Sequence, residues 1–352
     1  MTVIRRVAGV HVLAQIDTPT ISPALATQIH EALAVPGVVA FGVRVPWTTI
    51  DTTFAVLDQA KAIAGGAGKE LSVRYMAGRH VPARVQGACA MLGTGTNRYP
   101  RPFDRDGQLN VCFLDETRSL VERLAAWARA NDVPLLHLSH YAHLWAEFFW
   151  GPDVQAIRGG GAAGQAAMVA ATVALVDIGV GVAGSDLAVE LPMSGHGPLM
   201  ATSVAGPPGI AERVAEYIAA AGVPFFVQGN GWDEDGIWGA GSQDVETRFD
   251  RVLGYGALLG VQMIQPGNLY DWRRVFAVAT AKAATYCEVY LPSFTGGTSA
   301  GLREEVAVWA PYLPAVLPPP VDPRDETIVV LRADVARLRD AIAAAAAVLA
   351  DV

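Results

Sequence analysis

The chain has 352 residues, 52% of them apolar, enough for one large domain or two ordinary ones. A net charge of −8 gives no basic footprint and excludes nucleic acid as a natural partner. The cysteines Cys89, Cys112 and Cys287 are odd in number and form no CxxC. They suggest no disulfide framework, which suits a reducing compartment or a fold that needs no staples.

The opening run "MTVIRRVAGVHVLAQID" is too short and too β-branched for a signal peptide, and Asp17 interrupts it. It reads as a first strand. Further short β-branched runs predict strands near 38–45, 70–77, 133–139, 186–192, 223–229, 260–265 and 285–291. Helical patterns lie between them near 22–35, 51–64, 115–131, 162–180, 207–221, 243–258 and 270–284, with one more at 301–311. Strands alternating with helices imply parallel crossovers, and eight such units fit an α/β fold of the (β/α)8 TIM-barrel type. The Gly-rich "RGGGAAG" at 158–164 lies between strands four and five rather than after the first strand, so a dinucleotide-binding sheet is not supported. The Ala-rich stretch 162–183 carries Asp177 and suits a packed helix better than a membrane span.

The barrel is expected over residues 1–312. A proline-rich linker follows at 313–326, where "YLPAVLPPPVDP" is stiff and extended. Over 327–352, Ile328, Leu331, Val335, Leu338, Ile342, Ala345, Leu349 and Val352 recur at alternating spacings of three and four. That is the a/d seam of a coiled-coil helix, compatible with two or three strands. The competing reading is an amphipathic helix folded back on the barrel, which normally shows a wider apolar stripe.

In a (β/α)8 barrel the chemistry sits in the loops after the strands. Six of the eight tryptophans fall there: Trp47, Trp145, Trp150, Trp232, Trp238 and Trp272. Flat aromatic faces stack on sugars, so a ligand mouth is one reading; ring packing over the barrel top is the other. Strand parity adds charge. Arg44, Arg74, Glu190 and Glu288 each alternate with apolar neighbours and should point inward, joined by Gln228, Asn230 and Gln265. A ligand site and a structural ion-pair network account for such inward charge equally well. His80 and Asn268, just beyond strands three and seven, complete the candidate ligand-binding set. In "LHLSHYAHLWAEFFWG", Glu147 is a lone acid among aromatic rings. His137, His140 and His143 do not share one face of a strand-to-loop segment, so no metal site is expected. No GxSxG elbow follows a strand, and no cofactor is implied.

The segment "GVRVPWTTIDTTFAVLDQAKAIAGGAGKELSVRYMAGRHVP" resembles the second and third βα units of clan A glycoside hydrolase barrels, through Arg44, Trp47, Gly78 and Pro82. The resemblance implies a sugar cleft across the barrel top, with a catalytic acid after strand four and a nucleophilic glutamate ending strand seven. Here the strand-four Asn-Glu pair is absent and Glu147 lies eight residues beyond Ser139. Strand seven offers Gln262 and Gln265, and an amide is no nucleophile. The favoured reading is therefore a barrel that binds sugar without cleaving it; the alternatives are an active glycoside hydrolase using Glu147 with Glu288 or Glu190, and a purely structural subunit. A glycosidase-like barrel joined to a coiled coil also resembles, in layout, minor tail proteins of phages infecting actinobacteria. That resemblance implies a homotrimer in a virion tail, contacting a surface glycan and other tail proteins; outside a phage the expected location is cytoplasmic.

Overall fold

The computed structural model describes residues 6–92, 98–101, 103, 108–138, 161–183, 187–194, 210–221, 225–233, 236–237, 251, 253–263, 270–296, 301–310 and 313. Eight strands are present near the expected positions: β1 (Gly9–Gln15), β2 (Val38–Pro46), β3 (Glu70–Met76), β4 (Leu135–Leu138), β5 (Ala188–Ser194), β6 (Phe225–Asp233), β7 (Leu258–Met263) and β8 (Tyr286–Tyr290). Each pairs in parallel with the next, and β8 pairs in parallel with β1, so the sheet closes on itself. This is the α/β barrel that the alternation predicts.

The helices that cover the strands are α1 (Pro23–Leu33), α2 (Ala55–Gly66), α3 (Val111–Ala130), α4 (Gly161–Ala183), α5 (Ile210–Ala220), α6 (Trp272–Ala281) and α7 (Leu302–Trp309). Side-chain caps fix several starts, as expected where the first amides lack partners. Ser22 accepts from Leu25 N, Asn110 from Phe113 N and Asp271 from Arg274 N. The Asn110 cap starts α3 four residues earlier than its apolar period suggests. Of the helix expected at 243–258, Arg251, Leu253 and Gly254 are described and helical. The chain has already turned by Tyr255, because β7 begins at Leu258.

Outward strand residues such as Val12, Val43, Val73 and Val289 pack under the helices in one continuous core. Inside the barrel a separate apolar layer forms the floor from Val7, Leu135, Ala188, Phe226 and Tyr286, with half-buried Leu258 against it. Gly260 makes this floor possible. The Tyr286 ring lies over its Cα, where any Cβ would collide with ring atoms. Below the floor Arg6 donates to Glu70 at 2.8 Å and to Asp132 at 2.6 Å, tying the start of β3 to the end of α3.

Between β3 and α3 lies an insertion that no periodicity announces. It holds a turn at Gly78–His80, a short helix at Ala83–Ala88 and a two-stranded hairpin pairing Met91–Leu92 with Tyr99–Pro100. The expectation of no disulfide is corrected here. Cys89 and Cys112 are bonded, with Cα atoms 5.4 Å apart, and only Cys287 is free. Their separation of 23 residues forms no sequence motif; the insertion folds back to bring them together.

Among the described residues no helix is long and apolar enough to cross a membrane. The chain divides into units at Ala315/Val316. The expected linker, apart from Leu313, and the expected coiled coil lie outside the described residues.

Candidate functional site

Strand parity aims one row of polar side chains into the barrel above its floor. His11 comes from β1, Arg74 from β3, His137 from β4, Glu190 from β5, Gln228 from β6, Gln262 from β7 and Glu288 from β8. All are buried. Backbone register sets the row, with Arg74 level with His137, His137 with Glu190, and Glu288 with both His11 and Gln262.

Arg74 is the hub. Its Nη2 reaches Glu190 Oε1 at 3.0 Å, Glu288 Oε2 at 3.2 Å, His137 Nδ1 at 3.0 Å and the side-chain carbonyl of Gln228. A nitrogen with two protons cannot satisfy all of these at once, so the acceptors share it. Glu190 Oε2 also accepts from the Tyr286 hydroxyl at 2.7 Å and lies against His137 Nδ1. Glu288 Oε2 accepts from Gln228 Nε2 at 2.8 Å and from Gln262 Nε2 at 2.9 Å. His137 stands between the carboxyl groups, with Nε2 3.4 Å from Glu288 Oε1. His11 stacks on the Tyr286 ring and lies 2.6 Å from the Val7 carbonyl through Nε2.

Burial sets the protonation of these groups. It holds the His137 imidazole well below its ordinary value, helped by the Arg74 cation and by His11. His11 is lowered too, because burial outweighs the attraction of Glu288. Burial and then Glu288 push the Tyr286 phenol well up. At neutral pH both histidines are therefore neutral, Tyr286 keeps its proton, and Arg74 is the central cation.

The cluster connects to the end of the barrel where the strands finish. Gln262 Oε1 accepts from the Tyr290 hydroxyl at 3.3 Å, and that hydroxyl accepts from Arg44 Nη1 at 3.0 Å. Arg44 and Tyr290 are half-buried on the ends of β2 and β8. The polar path thus runs from the floor to the mouth.

Arg74, Gln228, Glu190 and Glu288 meet directly, and Arg44 joins them through Tyr290. Asn230 lies on β6 level with Gln262. His80 sits half-buried in the turn after β3. Three tryptophans do not line a mouth. Trp47 is fully buried, meeting Tyr75 edge-on and Phe113 at a tilt, with its indole N–H donating to Asp51. Trp232 is buried in the outer core beside β7, as is Trp272 on α6. Their position after a strand reflects helix packing, which strand-end placement alone does not distinguish from exposure. Glu147, Trp145, Trp150, Gln265 and Asn268 lie outside the described residues. Sequence reading missed His11, Gln262, Tyr286 and Tyr290 as members of the cluster and took His137 only as a metal candidate; inward parity alone was the available signal.

No cluster of three or more metal-ligating side chains occurs among the described residues. An open groove of about 580 Å³ lies elsewhere, lined by Asp51, Arg84, Cys112, Asp115, Glu116, Ser119 and Arg123. Its arginines are already engaged. Arg84 pairs with Asp51 and Glu116, while Arg123 donates to the Asp51 carbonyl and lies over Phe54.

No protein-family model and no curated protein matches the chain. Solved structures do resemble it. The catalytic domain of a beta-amylase from Paenibacillus polymyxa overlays with a TM-score of 0.59 at 9% identity, covering 86% of this chain and 98% of that one. A D-psicose 3-epimerase from Clostridium cellulolyticum H10 overlays more loosely, with a TM-score of 0.45 at 10% identity over 87% and 98% of the two chains. With the closed parallel sheet, the likeness to the beta-amylase domain establishes the fold as a (β/α)8 barrel.

Proposed function

We propose that the barrel recognises a carbohydrate at the face where its strands end and does not hydrolyse it. One observation carries the second half of this reading. The two described interior carboxyl groups, Glu190 and Glu288, are both buried and both bound to Arg74. A retaining glycosidase needs two carboxyl groups flanking a sugar, one of them free to attack. Here they face a guanidinium and hold the barrel together. The first half is supported by the beta-amylase-like fold and by Arg44, Tyr290 and Gln262, which place polar groups at the strand ends. The sequence-based part of the proposal is assembly. The heptad seam from Ile328 to Val352 makes the chain an oligomer, a trimer at a phage tail tip being the arrangement that its layout suggests.

The test is direct. Purified full-length chain is titrated calorimetrically with oligosaccharides of differing linkage and assayed on aryl glycosides. Binding without turnover is expected. Robust turnover that disappears in Glu147→Gln makes the protein a hydrolase and overturns the proposal.

A further inference from the structure

We propose that the insertion between β3 and α3 is a preformed cationic lip that binds the anionic groups of an acidic glycan. The inference rests on the carbohydrate reading of the same face and narrows its ligand to a polymer carrying phosphate or carboxylate.

The charge pattern is local. Residues 78–110 contain five arginines and two acids, whereas the whole chain has 34 acidic and 26 basic residues. Position gives that pattern a use. The insertion leaves the end of β3, so it stands on the same side of the barrel as Arg44 and Tyr290. The hairpin strand Tyr99–Pro100 packs on the turn Gly78–His80. The backbone at Arg98 and Arg101, which flank that strand, therefore lies near the turn that carries Arg79.

These arginines meet no carboxylate among the described residues. Arg79 is exposed. Arg98 donates to the Gln86 carbonyl at 3.1 Å. Arg101 Nε is buried and donates to nothing described. Arg84 differs, being spent on Asp51 and Glu116. Among the described residues these three guanidinium groups have no internal counter-charge, on a protein whose net charge is −8. An anionic polymer is repelled by most of this surface and attracted at the lip, which orients it across the strand ends. Guanidinium suits the task because its planar donors match phosphate and carboxylate.

The described residues at the base of the lip are braced. The Cys89–Cys112 bond closes its base. Asn110 Nδ2 donates to the carbonyls of Ala90 at 3.0 Å and Arg101 at 2.8 Å, and Arg101 N donates to Ala90 O at 2.9 Å. Phe103 is buried beneath. Charges held in place lose less freedom on binding.

The experiment uses the full chain and four probes: dextran, carboxymethyl dextran, phosphorylated dextran and inorganic polyphosphate. Wild type should bind the charged dextrans about tenfold or more tighter than dextran, with the preference fading as salt rises. The combined Arg79→Gln, Arg98→Gln, Arg101→Gln variant should lose that preference, and the matching Lys variant should keep most of it. Comparing the phosphorylated with the carboxymethyl polymer identifies which anion is read. Equal affinity for charged and neutral dextran, or a Gln variant that binds like wild type, overturns the lip. If the Gln variant does not fold, Arg79→Gln alone should weaken charged binding about twofold to threefold; no change there sinks the proposal equally. Binding of polyphosphate but of no dextran keeps the lip and removes the carbohydrate reading beneath it.

Discussion

The Tyr286 hydroxyl donates to Glu190 Oε2 at 2.7 Å, joining the apolar floor of the barrel to the charged row above it. One strand supplies both layers, because Glu288 lies two residues beyond Tyr286 and faces the same way. The floor and the row are therefore coupled, and changes in either should be felt in the other.

Removing the hub tests this first. Arg74→Met leaves two buried carboxyl groups without their cation and should cost about 3–5 kcal/mol in urea unfolding. Adding Glu190→Gln and Glu288→Gln to Arg74→Met should recover part of that loss. Equal stability of Arg74→Met and wild type would mean that the cluster is not held by charge.

Gly260 provides a packing test. Gly260→Ala puts a methyl into the Tyr286 ring and should lower stability by about 1–3 kcal/mol. In a Tyr286→Ala background the same change should be nearly silent. A full cost in both backgrounds would place the strain elsewhere.

The pH response follows from His137 and His11, whose folded values lie below the ordinary histidine value of 6.5. Below about pH 6.5 the unfolded chain takes up protons that the folded one refuses. Stability should hold near neutrality and fall on acidification, each histidine adding up to about 1.4 kcal/mol per pH unit. Replacing His137 with Gln should flatten the slope between about pH 6.5 and 5 by about one proton, as read from urea midpoints.

The Cys89–Cys112 bond predicts a simple count. Denatured but unreduced protein should take up one alkylating group, at Cys287, and reduced protein three. Cys89→Ser should cost about 3 kcal/mol, as a loop of this length implies. Three groups without reduction would rule the bond out.

The heptad seam yields the last prediction. Leu331→Asp with Leu338→Asp places acids on the seam and should release folded monomers, seen by light scattering. An intact chain that is already monomeric at high concentration would remove the oligomer proposal.

The barrel was legible because β-branched runs alternate with helical ones, and period-two parity gave Arg74, Glu190 and Glu288 their inward direction. Parity also covers His11 and Tyr286, but a lone histidine or tyrosine between apolar residues reads as ordinary core until its neighbours across the barrel are known. The insertion left no periodic trace, since its elements are two to six residues long. The Cys89–Cys112 contact depends on that insertion's fold. Trp47 misled for a physical reason. A strand end is next to both the mouth and the helix layer, and the indole turned to the helices, where Asp51 accepts its N–H.

Closure of the sheet through β1 and β8 has a consequence in time. Gly9 and Val10 find their partners, Tyr286 and Cys287, only when nearly the whole chain has been made. Until then a growing chain carries β1 with one side of its backbone unpaired, the edge by which strands from other chains attach. Ribosome-bound intermediates should be the form of this protein most in need of a chaperone, and the completed barrel should need none.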